Sequence, residues 1–265
     1  MIQTLEAGSG LLFTLFFEAK SLIKPGVSGT DLEKWVEKKL TKYHVQSALK
    51  NFHSFPSNCC VSVNECAAHG VPKAAPLVDG DLVTLDLAIQ GDGWYADGAW
   101  TYGVGTIDSE TLKLISVAWK TTMRAALSAL TGKMVGDITR SAWDTAQGYG
   151  YAIPSSCYGH GIGLNLHELP RIPFYCGDPL YPVLRETPLP NGVHLNIEPI
   201  LYKSASPRPE PLVKTEKGLF TSNSARAAQY EVTVSTGTIR GKGTIPSLPG
   251  IHPFDPRLQR MPPFY

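Results

Sequence analysis

The chain has 265 residues, 43% of them hydrophobic and 18% charged, with a formal net charge of +1. That is enough apolar material for a sizeable core, and the near-neutral balance excludes a global electrostatic case for nucleic acid or an acidic membrane as partner. The five cysteines (Cys59, Cys60, Cys66, Cys157 and Cys176) are odd in number and lack CxxC spacing, so they fit a reducing cytoplasm better than a disulfide framework.

Residues 3–23 read as a well-buried helix that Lys24-Pro25-Gly26 ends. The apolar run within it, residues 11–17, is interrupted by Thr14 and followed by Glu18 and Lys20. It is too short to span a bilayer and has no basic leader, so a soluble cytoplasmic protein is expected. Ser28 or Thr30 can cap a second helix over residues 31–42, with Leu32, Trp35, Val36 and Leu40 on one face. Residues 45–63 suggest short strands around a loop at 54–58.

Residues 82–89, LVTLDLAI, form a strand pattern, Gln90-Gly91-Asp92-Gly93 a tight turn, and Trp94-Tyr95-Ala96 the start of a return strand. A turn centred between Gly91 and Asp92 places Asp86 opposite Asp97. Thr84, Asp86 and Ala88 then share one face, and Val83, Leu85, Leu87 and Ile89 the other. Carboxylates facing each other across a ladder repel, more so out of water, and a divalent cation is the usual remedy. For two isolated aspartates a solvated face is the commoner outcome.

Helices follow at about 109–130 and 137–149, separated by Thr131-Gly132. Residues 26–32, GVSGTDL, resemble residues 132–138, GKMVGDI, and each segment follows one helix and opens another. Two related α+β halves packed as a single domain over residues 1–236 are expected, closed by strands around 192–201 and 227–236. Residues 237–265, rich in proline and glycine, should be an extended tail.

Four carboxylates and one imidazole stand in strand-like, apolar contexts: Asp86, Asp97, His160 in GHGIG, Glu198 in HLNIEPIL, and Glu231 in AAQYEVTV. Four buried carboxylates are untenable unless cations neutralise them, and two divalent ions balance their charge. Oxygen donors with one imidazole suit Mn, Fe, Co or Zn better than a thiolate-type structural zinc site. Such a pair of ions is the usual apparatus of metal-assisted hydrolysis.

HGVP at 69–72, LDLA and ADGAWT around the two aspartates, GHGIG and LHELP, NIEP, and AAQYE occur in the order and spacing of methionine aminopeptidases. With KPGVSGTDL and CVSVNECAAHGVP, the chain resembles the short type I form of that family over residues 5–236. The resemblance implies the α+β "pita-bread" fold, two pseudo-symmetric halves around a curved antiparallel sheet. It also implies that Asp86, Asp97, His160, Glu198 and Glu231 bind two metal ions, with Glu198 also the general base. His167 would hold or polarise the scissile carbonyl, His69 would lie near the substrate amide, and Phe52, Phe55 and Cys60 would line a methionine pocket. A monovalent cation held by backbone carbonyls near Asn64, Cys66 and Ala227 is possible by the same analogy. The implied substrates are the N-terminal peptides of nascent chains, met at the ribosome, for a monomer with no nucleic-acid or membrane partner.

His44, His53, His194 and His252 receive no metal-binding role, Cys59-Cys60 is expected to be pocket or core, and Trp94, Trp100, Trp119 and Trp143 packing. Three departures stand out. Pro211 occupies a position where relatives often place an aromatic over the pocket, Gly98 follows Asp97 where a hydroxyl is frequent, and His194-Leu195-Asn196 precedes Ile197-Glu198. Leu219 and Phe220 are the expected substitutes over the pocket, with Phe220 the stand-in lid. The competing readings are a proline-directed aminopeptidase P or prolidase, and a binding relative that has lost catalysis.

Overall fold

The computed structural model describes residues 2–131, 133–204 and 209–237. Helix α1 (Leu5–Ala19) starts at Thr4, whose Oγ1 accepts the Ala7 N–H at 3.2 Å. Helix α2 (Gly29–Tyr43) starts at Ser28 and stops where His44 turns left-handed at φ 54°. Short strands β1 (Gln46–Ser47), β2 (Cys60–Val63) and β3 (Cys66–Ala68) lead into the long hairpin of β4 (Leu82–Gly91) and β5 (Trp94–Gly103). Helices α3 (Ser109–Thr131) and α4 (Val135–Gly148) follow, then strands β6 (Tyr158–Ile162) and β7 (Glu168–Pro173) and the short helix α5 (Tyr181–Leu184). The chain closes with β8 (His194–Ile197), β9 (Ile200–Tyr202), β10 (Val213–Thr215), β11 (Gly218–Phe220), β12 (Ala227–Gln229) and β13 (Val232–Ser235).

Two four-stranded antiparallel sheets dominate. In one, β4 pairs with β5 on one edge and with β1 and β2 on the other; the second runs β13-β8-β6-β7. An antiparallel bridge between Ala99 and Glu231 joins them across the two halves. Gly98 lies beside that seam because a Cβ there would stand 3.1 Å from the Phe16 ring, so its lack of a side chain lets α1 pack onto β5. Phe16 stacks on Trp100 (5.3 Å, 11°), and Trp100, Trp119 and Tyr230 meet edge to face, an aromatic core between α1, β5 and α3. Trp94, Trp100 and Trp119 are buried, as packing residues should be.

The two halves repeat a helix start. Asp31 Oδ2 accepts the Ser28 N–H at 3.1 Å, and Asp137 Oδ2 accepts the Met134 N–H at 2.9 Å. Each cap residue also forms an isolated antiparallel bridge with a proline, Ser28 with Pro76 and Met134 with Pro188. An acid reaching back to free N–H groups fixes each helix entry. The similarity of residues 27–32 and 133–138 is therefore structural. Residue 132, within the expected helix break, residues 238–265 of the expected tail, and His252 lie outside the described residues.

The hairpin register corrects the sequence expectation. Asp86 is opposite Ala99, and Asp97 is opposite Ala88. The turn is Asp92-Gly93, with Gly93 at φ +76°, so the ladder is displaced by two residues. Two residues is one full pleat, so Asp86 and Asp97 remain on one face as diagonal neighbours.

Candidate metal centre

Each acidic side chain reaches the same point from a different element. Asp86 comes from β4, Asp97 from β5 and His160 from β6. Glu198 stands in the step between β8 and β9, and Glu231 between β12 and β13. Ligand-type atoms of Asp86, Asp97 and Glu231 lie within 4.8 Å of one another, as do those of His160, Glu198 and Glu231. Asp97, His160 and His167 form a third such group. His160 Nε2 stands 3.4 Å from Glu198 Oε1 and 4.0 Å from Asp97 Oδ2. Its other nitrogen, Nδ1, is 2.9 Å from the Gly161 carbonyl, which as acceptor puts the ring proton on Nδ1 and leaves the Nε2 lone pair aimed at the carboxylates.

The electrostatics are those of an uncompensated cluster. Burial is the main force raising the Asp86 carboxyl to about 7, with a hydrogen bond from the Cys60 thiol acting the other way. Asp97, Glu198 and Glu231 are pushed well above the ordinary carboxylate range, first by burial and then by the charge of neighbouring acids, Asp86 among them for all three. Among the described residues, no lysine or arginine lies within ion-pair distance of any of the four. Burial, with the neighbouring His167, lowers His160 to about 4, so its imidazole is neutral near pH 7. Four converging carboxylates and a neutral imidazole therefore fit divalent cations, which would replace the missing counter-charge.

Two side chains absent from the expectation hold the carboxylates. Buried Asn196 donates to Glu231 Oε1 at 2.7 Å and accepts from Thr233 Oγ1 at 2.8 Å. Gln229 Nε2 lies 3.3 Å from Glu198 Oε2. Both residues sit in the motifs HLNIEP and AAQYE, so the signal for them was an amide two residues before a buried acid.

A cavity of about 350 Å³ opens onto the cluster. Phe52, Phe55 and Cys60 line it, as expected, with His69 and His167 at its inner end beside Asp86, Asp97, His160, Glu198 and Glu231. His53 also lines it, beyond its expected place merely near the pocket loop, with its ring 4.4 Å from that of Phe52. His167 contacts both Phe52 (5.4 Å) and His160 (4.4 Å). Burial lowers the pKa of His69 and His167 alike, keeping both neutral and able to donate one N–H. Cys60 is buried, and its thiol is held far above the thiolate range by burial and then by Asp86, so it is a wall and not a nucleophile.

The expected lid is wrong in one residue. Leu219 lines the cavity, but Phe220, next along β11, pairs at Cys66 of β3 and turns away to lie 6.0 Å from Lys73 Nζ. The register shifts between these two residues, and only Leu219 is among those lining the cavity. Pro211 does not line the cavity; Lys214, Thr215 and Glu216 rim it instead. The Asn64 carbonyl accepts the Ala227 N–H at 3.0 Å, and Cys66 opens β3 two residues after Asn64. His194 is remote from this chemistry, held by Ser235 Oγ (2.7 Å) and Glu6 (3.5 Å).

Residues 11–236 match metallopeptidase family M24. A methionine aminopeptidase of Clostridium acetobutylicum is 33% identical over 80% of this chain and 82% of its own length. The crystal structure of methionine aminopeptidase from Rickettsia prowazekii superposes with a TM-score of 0.82 at 25% identity, covering 94% of this chain and all of that one. The corresponding Thermotoga maritima structure gives 0.81 at 28% identity over 93% and 96% of the two chains.

Proposed function

Because the chain belongs to metallopeptidase family M24, we propose that it is a methionine aminopeptidase, a metal-dependent exopeptidase that removes methionine from the N-terminus of proteins and peptides. The observation that carries this reading is a partly apolar cavity of about 350 Å³ that ends on four carboxylates and a neutral imidazole. One unbranched apolar side chain fits such a space, and the bond next to it lies at the cluster.

Asp86, Asp97, His160, Glu198 and Glu231 would hold two divalent ions drawn from Mn, Fe, Co and Zn. Four carboxylates balance their charge, and the Nε2 lone pair of His160 faces them. Such ions, when bound, supply Lewis acidity and make water a better nucleophile at neutral pH. Glu198, partly open to the cavity, takes the proton of the attacking water through one oxygen while Gln229 steadies the other. Neutral His167 donates an N–H to the scissile carbonyl oxygen, where negative charge develops, and neutral His69 orients the amide on the leaving side. Phe52, Phe55 and Cys60 contact the methionine side chain. A monovalent cation at the Asn64, Cys66 and Ala227 carbonyls would brace the strands behind the site.

Among the described residues no helix is long and apolar enough to cross a membrane. All five thiols are unpaired, as a reducing compartment would keep them, and we place the reaction in the cytoplasm, on nascent chains, carried out by a monomer. The test is hydrolysis of Met-Ala-Ser, Leu-Ala-Ser and Ala-Pro by chelated protein with and without added Mn or Co. Cleavage of Met-Ala-Ser alone, and only with metal, is expected. Preferential cleavage of Ala-Pro would move the chain to a proline-directed activity.

A further inference from the structure

A second cavity, of about 470 Å³, lies on the other side of the cluster and shares His69, Asp86, His160, His167, Glu198 and Leu219 with the first. An aminopeptidase has only one residue before the bond it breaks. If the first cavity takes that residue, the rest of the substrate must leave through the second, whose outer wall holds the fully solvated Leu169 (87% exposed) and the exposed Arg171.

Arg171 is fixed in that wall by strand register. It pairs directly with His160 across β6 and β7, so both side chains leave the same face. Tyr158, two residues before His160, is on that face too, and the guanidinium lies 3.5 Å from the centre of its ring. The Tyr158 hydroxyl is in turn anchored on Asp178 Oδ2 at 2.8 Å. The cation thus lies over an anchored ring, with no carboxylate within ion-pair distance among the described residues. Glu168, the acid nearest in sequence, is engaged elsewhere, accepting the Asn165 N–H at 2.8 Å. Arg171 is also the only lysine or arginine lining this cavity among the described residues.

We propose that Arg171 is a specificity residue that binds a carboxylate on the third residue of the substrate, either its side chain or, in a tripeptide, the chain terminus. This rests on the aminopeptidase reading above. An extended peptide advances about 3.3 Å per residue and strands lie about 4.8 Å apart, so a strand displaced by one ladder spacing from His160 faces a residue one to two positions past the scissile bond. A stacked guanidinium keeps its bidentate edge for a carboxylate, which Lys cannot offer in the same plane.

The test compares Met-Ala-Asp with Met-Ala-Ser, each with a free and an amidated C-terminus, on metal-loaded wild type, R171A and R171E. Wild type should favour Asp over Ser among the amidated pair by roughly three- to fivefold in kcat/KM, as expected of a solvent-exposed ion pair. The difference should lie in KM, because the contact is remote from the reacting atoms, and should fade at high salt. In R171A the ratio should fall to near one, and in R171E it should invert in favour of Met-Ala-Ser amide. A preference for the free terminus over the amide, lost in R171A, assigns the terminal carboxylate as a second ligand. Equal ratios in wild type and R171A, with Met-Ala-Ser cleaved normally, would overturn the role of Arg171 and leave the aminopeptidase reading standing. No cleavage of any peptide would overturn both.

Discussion

Asn196 donates its amide N–H to Glu231 Oε1 at 2.7 Å from a fully buried position on the strand that also neighbours His160. His160, Asn196 and Thr233 are register partners in a row across three strands, so the amide is fixed from both sides. Fixing a ligand's orientation from behind is worth about 10- to 100-fold in metal affinity. Asn196→Ala should therefore weaken Mn binding by about that factor, measured by titration into chelated protein. Unchanged affinity in a folded variant would show that Glu231 needs no such support.

The metal-free cluster should make stability fall as pH rises. Asp86 has a folded pKa of about 7 against an ordinary value of 3.8, and its three acidic neighbours are raised as well. A raised carboxyl keeps its proton in the folded state where the unfolded chain has lost it. Its stabilisation is present at low pH and is lost as pH climbs through the folded value. His69, His160 and His167, all lowered from 6.5, act in the opposite sense but only below about 6.5. Between pH 6.5 and 8 the carboxylates therefore set the slope. The melting temperature of chelated protein should drop by several degrees over that interval, and saturating Mn should remove the drop. Asp97→Asn should raise the melting temperature of chelated protein at pH 8 while eliminating most hydrolysis. A flat profile for chelated wild type would mean that the acids are already neutralised by something else.

Much of this site is legible in sequence because its acids and imidazole sit in local patterns. Asp86 and Asp97 lie on one continuous hairpin, and even a register error of two residues keeps them on one face. The dipeptide Asp92-Gly93 was the available signal for the true turn, since Asp-Gly is a strong hairpin preference, but Gly91 offered a competing centre. The helix starts at Ser28 and Met134 were readable for a similar reason, as an aspartate three residues on completes each. What could not be read is pairing between distant segments. Whether Leu219 or Phe220 faces the cavity depends on how β11 aligns with β3, some 150 residues earlier, and the register shifts between those very residues. Arg171 and Tyr158 likewise meet only through the β6–β7 ladder.

If His167 acts on the reacting carbonyl as proposed, its loss should spare the fold. Its ring lies 4.4 Å from that of His160, the residue is exposed, and its lowered pKa leaves one N–H to donate near neutral pH. A donor that engages developing charge contributes about 10²-fold or more to rate. His167→Ala should lower kcat by that order with bound metal near normal by elemental analysis. An unchanged kcat would remove His167 from the mechanism, and a parallel loss of metal would make it a ligand.

Leu219 lines both cavities, whereas Phe220 lines neither and its ring lies 6.0 Å from Lys73 Nζ. Trimming Leu219 to alanine removes partly buried apolar surface from the wall of the cavity proposed to hold methionine. At roughly 25 cal/mol per Å² that is on the order of 1 kcal/mol, or about fivefold in affinity. Leu219→Ala should thus raise KM for Met-Ala-Ser about fivefold with kcat little changed, the mark of a contact made equally before and during reaction. Phe220→Ala should leave KM alone and lower the melting temperature, because its ring lies by Lys73 outside both cavities. Steady-state kinetics on the two variants side by side decide the matter. A raised KM in Phe220→Ala with none in Leu219→Ala would mean that β11 presents its other face to the substrate.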